Sequence, residues 1–197
     1  MTLDDAAIDK LVAQAKAGEA DAFGSLFDHY GEQVYRFIAS RVHRPSDAED
    51  LTQIVFVKAL EALPRYEARG IPFGGWLFRL ARNTVIDFTR THRVHADLES
   101  LVERATADLG PEALTITKHQ IEEMARALDV LTDEQRDAIA LRFFAGLSAR
   151  EAAAAMGKQE GTVRGLQFRG IAALRRELGL DEGGSTTTGT GTRRRPG

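Results

Sequence analysis

Phe23, Leu26, Phe27, Tyr30, Val34, Phe37, Ile38 and Val42 recur at the i, i+3, i+4, i+7 spacing of one helix face, and the spacing predicts a helix over about 21–42. A shorter apolar series, Leu3, Ile8, Leu11 and Val12, predicts a helix before it that ends near Gly18. Pro45 is expected to stop the second helix, and Ser46-Asp-Ala-Glu49 reads as a capping box opening a third. Leu51, Ile54, Val55, Val57, Leu60 and Leu63 carry that third helix to Pro64. A turn-rich stretch follows from Tyr66 to Gly75, with Gly70, Pro72, Gly74 and Gly75. A fourth helix, about 76–91, sets Trp76, Leu77, Leu80, Val85 and Phe88 among arginines.

The pattern breaks at 96–118, where acids, small residues and Gly110-Pro111 leave only weak periodicity. It returns with a helix from about Lys118 through Leu131, then a capping box, Thr132-Asp-Glu-Gln135, opening a helix through Ala145. Gly146 occupies the position of a C′ residue. Ser148-Ala-Arg-Glu151 is a further capping box that begins a short helix ending at Gly157, and a last helix spans about 160–178. The residues after Asp181 are low in complexity and hold no apolar side chain, as a disordered tail would. The expected architecture is all-α: two small helical domains, 1–95 and 118–180, a flexible acidic linker over 96–117, and a tail over 181–197. The C-terminal domain is expected to end in a helix-turn-helix.

Composition agrees with that reading. The chain has 197 residues, 43% of them hydrophobic and 28% charged, an ordinary globular balance. The absence of cysteine excludes disulfides and thiolate metal sites. The acidic N-terminus MTLDDAAIDK is not a secretory signal, and no uncharged apolar run approaches the roughly 20 residues a membrane span needs. A cytoplasmic protein without membrane insertion is therefore expected.

Net charge is only −3, but its distribution is uneven. From Arg79 to His95, four arginines against Asp87 leave +3. From Lys158 to Leu178, one lysine and four arginines against Glu160 and Glu177 leave +3. The segment between them, Ala96 to Lys118, carries five acids against two bases and is −3. Two basic segments on either side of an acidic connector suit contact with phosphates at two places, and also suit plain solvated helix faces.

The chemistry in those segments is more specific. In 148–178, an Ala-rich helix, a turn at Gly157 and a second helix form a unit whose second helix would enter a major groove. Val163 is spaced to pack back on Ala153 and Met156, leaving Gln159, Glu160, Thr162, Arg164, Gln167, Phe168 and Arg169 facing outward. In the first domain, aromatic rings stand beside Arg79, Arg82 and Arg90, a stacking surface with a track for phosphate. Trp76 is expected in the core, and Tyr66, Phe73 and the glycine-rich loop are the candidates for contacting unpaired bases.

These residues resemble the sigma-70 family of RNA polymerase sigma factors, in the extracytoplasmic-function (ECF) group. The resemblance rests on Asp47-Ala-Glu-Asp-Leu-Thr-Gln53, Phe73-Gly-Gly-Trp-Leu77 with Arg82-Asn83 and Ile86-Asp87, and Leu131-Thr-Asp-Glu-Gln-Arg136. Leu141-Arg-Phe143, Gly146-Leu-Ser148, Glu151-Ala-Ala153 and Gly161-Thr-Val-Arg164 complete it, in family order and spacing. It implies that Asp47, Glu49, Asp50 and Gln53 dock on the β′ clamp helices of core RNA polymerase, with the β flap as a further contact. It implies that the Tyr66–Phe73 loop captures a flipped base of the −10 element, and that Arg79, Arg82, Asn83, Asp87 and Arg90 face the melted strand. Arg142, Thr162, Arg164, Gln167, Phe168 and Arg169 would face the −35 element. An anti-sigma partner is also implied, with promoter DNA as ligand and no cofactor, metal or catalytic residue.

The sequence departs from the family where a serine is common before the last helix and a Ser-Arg pair after Thr-Val-basic; Gln159, Gly165 and Leu166 stand there. Gln159 is a poor N-cap, Gly165 costs about 1 kcal/mol relative to alanine in a helix, and Leu166 replaces a reading arginine. Two other classes compete with the resemblance. A repressor or activator would carry a ligand pocket or phosphoacceptor in its first domain and bind duplex DNA as a dimer. An enzyme or zinc protein would need more than the one close pair, His92-x-x-His95.

Overall fold

The computed structural model describes residues 3–42, 44–68, 70–93 and 130–180. The expected linker, the helix over 118–129, the tail and the His95 partner of His92 lie outside the described residues. Seven α-helices, numbered in chain order, make up the described part: α1 (Asp5–Lys16), α2 (Ala20–Ala39), α3 (Pro45–Ala62), α4 (Phe73–Arg93), α5 (Asp133–Ile139), α6 (Ala149–Met156) and α7 (Glu160–Glu177). No strand occurs among the described residues.

The first four helices pack around one apolar interior. Asp4 caps α1, its carboxylate accepting from the Ala7 amide at 2.8 Å, and Ile8 and Val12 bury the inner face. In α2, Leu26, Tyr30, Val34, Phe37 and Ile38 are buried, one stripe of the 3.6-residue period. The Phe37 ring meets Phe78 of α4 edge-on at 5.9 Å. Lys16 reaches across to donate to the Tyr66 carbonyl at 2.6 Å, tying α1 to the loop after α3.

α3 corrects one expectation. It starts at Pro45, not at Ser46, with Arg44 as N-cap and no side-chain cap hydrogen bond, so the Ser46–Glu49 capping box does not form. Proline favours the first helical turn, where its missing N–H is no loss, and so it opens α3. The buried face holds Ala48, Leu51, Thr52, Val55, Phe56 and Ala59. Ile54, Val57 and Leu60, part of the apolar series that marks this helix, are 42%, 56% and 53% exposed. At about 100° per residue these three stand on the side of the helix opposite the buried stripe, so they cannot face the same core.

The other two capping boxes form as expected. Gln135 N donates to Thr132 Oγ1 while Thr132 N donates to Gln135 Oε1, and Ser148 and Glu151 exchange the same pair. Between them α5 widens into a π turn over Ala140–Phe144, where the Ala145 amide donates to the Ala140 carbonyl. The extra residue in that turn sets Phe143 and Phe144 outward. Gly146 (φ +69°) and Gly157 (φ +63°) then reverse the chain in the left-handed region. Val163 and Leu166 of α7 and Ala153 and Met156 of α6 share the resulting core.

The two halves meet. α6 lies on the first turns of α4, where a Cβ at Gly75 would stand 2.7 Å from Ala154 Cβ and one at Gly74 would stand 2.8 Å from Glu151 Oε1. Glycine at both positions allows that approach. One continuous apolar core therefore runs through both halves.

Candidate functional site

Three surfaces carry the residues singled out from the sequence. On α3, Asp50, Gln53, Ile54, Val57 and Lys58 line a shallow groove of about 500 Å³. Glu49, Asp50 and Gln53 are exposed and Asp47 is half-buried. The groove joins a carboxylate and an amide to an apolar stripe, the mixture found at protein interfaces. Sequence reasoning gave the polar half of this surface; the apolar half, Ile54 and Val57, was legible only as part of the helix's apolar series. Lys58 anchors its rim, donating to Thr84 Oγ1 of α4 at 3.1 Å.

On α4, Arg79, Asn83, Asp87 and Arg90 are exposed along one side, and Asp87 pairs with Arg90 at 3.4 Å. Arg82 is different. Its Nε donates to Oδ2 of Asp137 on α5 at 2.6 Å. The expectation that Tyr66 and Phe73 offer open stacking faces is corrected: they are 6% and 2% exposed. α4 begins at Phe73, three residues earlier than expected, which turns that ring inward against Tyr30 and Tyr66. The Tyr66 hydroxyl donates to the Ile71 carbonyl at 2.9 Å and closes the loop. Trp76, expected in the core, is half-buried beside them. Burial, and next the Glu151 carboxylate, push the Tyr30 phenol above its ordinary range.

The third surface is an open hollow of about 720 Å³ where α5, α6 and α7 meet, lined by Arg142, Ser148, Arg150, Arg164, Gln167 and Phe168. Arg142 Nε donates to Gln167 Oε1 at 3.2 Å, and its Nη1 donates to the Leu147 carbonyl. Arg164 pairs with Glu160 one turn earlier on α7. Phe168 is 75% exposed and Thr162 and Arg169 are exposed on the same helix. Arg150 escaped the sequence reading; its place in the first turn of α6, the helix that abuts α7, was the available signal. Leu166 corrects another expectation. It is buried with Val163 and Gly170, so the position faces the interior and could not present a reading arginine. Gln159 caps α7 without a side-chain hydrogen bond, as its chemistry suggested.

Arg41 and Asp137 were also missed. Asp137 is 2% exposed between Arg41, 3.1 Å away, and Arg82. A carboxylate one turn before the buried Leu141 was the signal, since the two share a face. Among the described residues, no cluster of three His, Asp or Glu could hold a metal, and no helix is long and apolar enough to cross a membrane.

Comparison with known proteins agrees with this geometry. Residues 26–94 match the family model of Sigma-70 region 2, and residues 127–176 match that of Sigma-70, region 4. The ECF RNA polymerase sigma factor BldN of Streptomyces coelicolor is 37% identical over 177 residues, covering 89% of this chain and 67% of BldN. The solved structure of CnrH in complex with the cytosolic domain of CnrY superposes with a TM-score of 0.67 at 28% identity, covering 89% of this chain and 99% of CnrH. The sigma factor RpoE of Bartonella quintana, in complex with the anti-sigma factor NepR, gives 0.62 at 26% identity, covering 81% of this chain and 98% of RpoE. With both sigma regions present in order and the helix-turn-helix built as their chemistry requires, the chain belongs to the ECF group of the sigma-70 family of RNA polymerase sigma factors.

Proposed function

We propose a division of labour among the three surfaces, within the sigma-factor work of binding core RNA polymerase, reading −10 and −35 elements and opening the promoter. The α3 groove, with Asp47, Glu49, Asp50 and Gln53 beside Ile54 and Val57, docks on the β′ clamp helices. The exposed side of α4 holds the melted −10 strand through Arg79, Arg82, Asn83, Asp87 and Arg90. Tyr66 and Phe73 form the wall of the loop that receives a flipped base. The α5–α7 hollow reads the −35 element through Arg142, Thr162, Arg164, Gln167, Phe168 and Arg169, and its half of the chain also meets the β flap.

The observation that carries this reading is the gathering of Arg142, Arg150, Arg164 and Phe168 around one open hollow at the reading helix. Guanidinium groups around a concave helical surface suit a phosphate backbone and a groove edge. The complexes of CnrH with CnrY and of the Bartonella factor with NepR support an anti-sigma partner for this chain as well. Catalysis belongs to the polymerase, in the cytoplasm, and this chain supplies positioning.

Run-off transcription with purified core polymerase over a randomised promoter library tests the reading. The expected result is enrichment of paired −10 and −35 sequences at a fixed spacing. No enrichment over core alone overturns it.

A further inference from the structure

Gln167 turns its side-chain oxygen toward Arg142, whose Nε donates to Gln167 Oε1 at 3.2 Å while its Nη1 donates to the Leu147 carbonyl. A guanidinium carries donors and no acceptor, so the amide atom facing it must be the oxygen. The amide is thereby fixed in one of its two orientations, with the NH2 group turned away from Arg142. Among the described residues that nitrogen has no hydrogen-bond partner, and Gln167 lines the open hollow beside Arg164 and Phe168. We propose that Arg142 is a positioning residue that locks Gln167 as a donor-only reader of the −35 element, selecting guanine over adenine at the base pair Gln167 meets.

An unrestrained glutamine suits adenine, because its oxygen accepts from N6 while its nitrogen donates to N7. That bidentate contact needs both amide atoms aimed at one base edge. Here the oxygen is committed to the wall of the hollow. What remains is a pair of N–H donors. Guanine presents two acceptors to them, O6 and N7, whereas thymine presents one and cytosine a donor. The lock is itself held firmly. The π turn over Ala140–Phe144 and the reversal at Gly146 (φ +69°) bring the Leu147 carbonyl to Arg142, so the half-buried guanidinium is fixed at two points. Its charge also polarises the amide and strengthens the N–H donors, as neighbouring hydrogen bonds in a chain do. Arg164, on the preceding turn of α7, is paired with Glu160 and so does not compete for the Gln167 oxygen.

The proposal rests on α7 being the helix that meets the −35 element, and the test separates the two. Holoenzyme is assembled from core polymerase and the full chain, unsubstituted or carrying Gln167→Ala, Gln167→Glu or Arg142→Met. Open complexes are selected from a promoter library randomised in the −35 element, and their DNA is sequenced. The expected result is one base pair at which the unsubstituted protein favours guanine about three-fold, the scale of one net hydrogen bond, and Gln167→Ala shows no preference. At that pair Gln167→Glu should favour cytosine on the same strand, since a carboxylate paired with Arg142 leaves an acceptor for cytosine N4. Arg142→Met should favour adenine on that strand, because the amide is released. A residue that merely braced the fold would lower the yield and leave the preferred base unchanged. An A·T preference at that pair in the unsubstituted protein, or guanine still preferred in Arg142→Met, overturns the lock. Should Arg142→Met not fold, Gln167→Glu decides: a switch to cytosine supports the proposal and retained guanine overturns it. A −35 preference that no substitution shifts removes the proposal alone, whereas no −35 preference in any of the four proteins removes the promoter role of α7 and the proposal together.

Discussion

Arg142 Nε lies 3.2 Å from Gln167 Oε1, and the same guanidinium donates to the Leu147 carbonyl. One side chain thereby joins the π turn, the Gly146 reversal and α7. Removing it takes away a proposed DNA contact and also the brace that holds Gln167. Arg142→Ala is expected to lower −35-dependent transcription about ten-fold, the effect of losing a charge-assisted hydrogen bond of roughly 1.5 kcal/mol. Gln167→Ala, which leaves the Leu147 contact intact, should lose about three-fold or less. Run-off yields from matched and scrambled −35 promoters give both ratios.

Arg164 and Asp50 stand on different surfaces, so their substitutions should fail differently. Arg164→Ala is expected to leave core affinity unchanged and to reduce the slope of log K against log salt for promoter binding by about 0.9, one phosphate contact. Asp50→Ala is expected to weaken core binding and leave that slope alone. Competition for core against a labelled sigma factor, with salt titrations of the holoenzyme, separates the two. An equal loss of core affinity in both variants would dismiss the division of labour.

Val57 is 56% exposed within the α3 groove. Val57→Asp should therefore alter the melting temperature little, and yet weaken core binding thirty-fold or more, since an unpaired carboxylate buried on docking costs about 2 kcal/mol or more. Thermal melts and the competition assay together decide this.

α7 is under-stabilised at its start. Gln159 makes no cap bond, and at Gly165 a Cβ would meet only the Arg169 guanidinium, at 3.4 Å. Gln159→Ser is expected to add about 0.5–1 kcal/mol and Gly165→Ala up to about 1 kcal/mol in urea unfolding. Ser148→Ala, which breaks a formed capping box, should cost about 1 kcal/mol.

Tyr30 and Tyr66 both have phenol pKa values raised by burial, Tyr30 also by Glu151. The folded state holds these protons more tightly than the unfolded chain, so the contribution is complete below the ordinary tyrosine value of about 10 and is lost as pH rises above it. Urea melts between neutral pH and pH about 11 should show that loss, and Tyr30→Phe should flatten it. An identical alkaline slope in the variant would remove Tyr30 from this account.

Local signals were enough for much of this protein. The i, i+4 periodicity of α2, the Thr132 and Ser148 capping boxes, and the left-handed glycines at 146 and 157 depend on contacts within about a turn of chain, and the structure has them where the residues indicate. The polar residues of α3 and the basic residues of α7 were legible for the same reason: charge on a helix face is a property of the segment. Tertiary structure decided what periodicity leaves open. Whether Ile54 and Val57 or Leu51 and Val55 turn inward depends on which neighbour each stripe meets, and apolar residues read alike on both. Leu166 looked like a missing arginine until packing put it against the core. The apposition of Gly75 and Ala154, and of Arg82 and Asp137, joins residues 79 and 55 positions apart. No local pattern encodes such a pairing, because it arises only when two separately formed helical units choose the faces they bury.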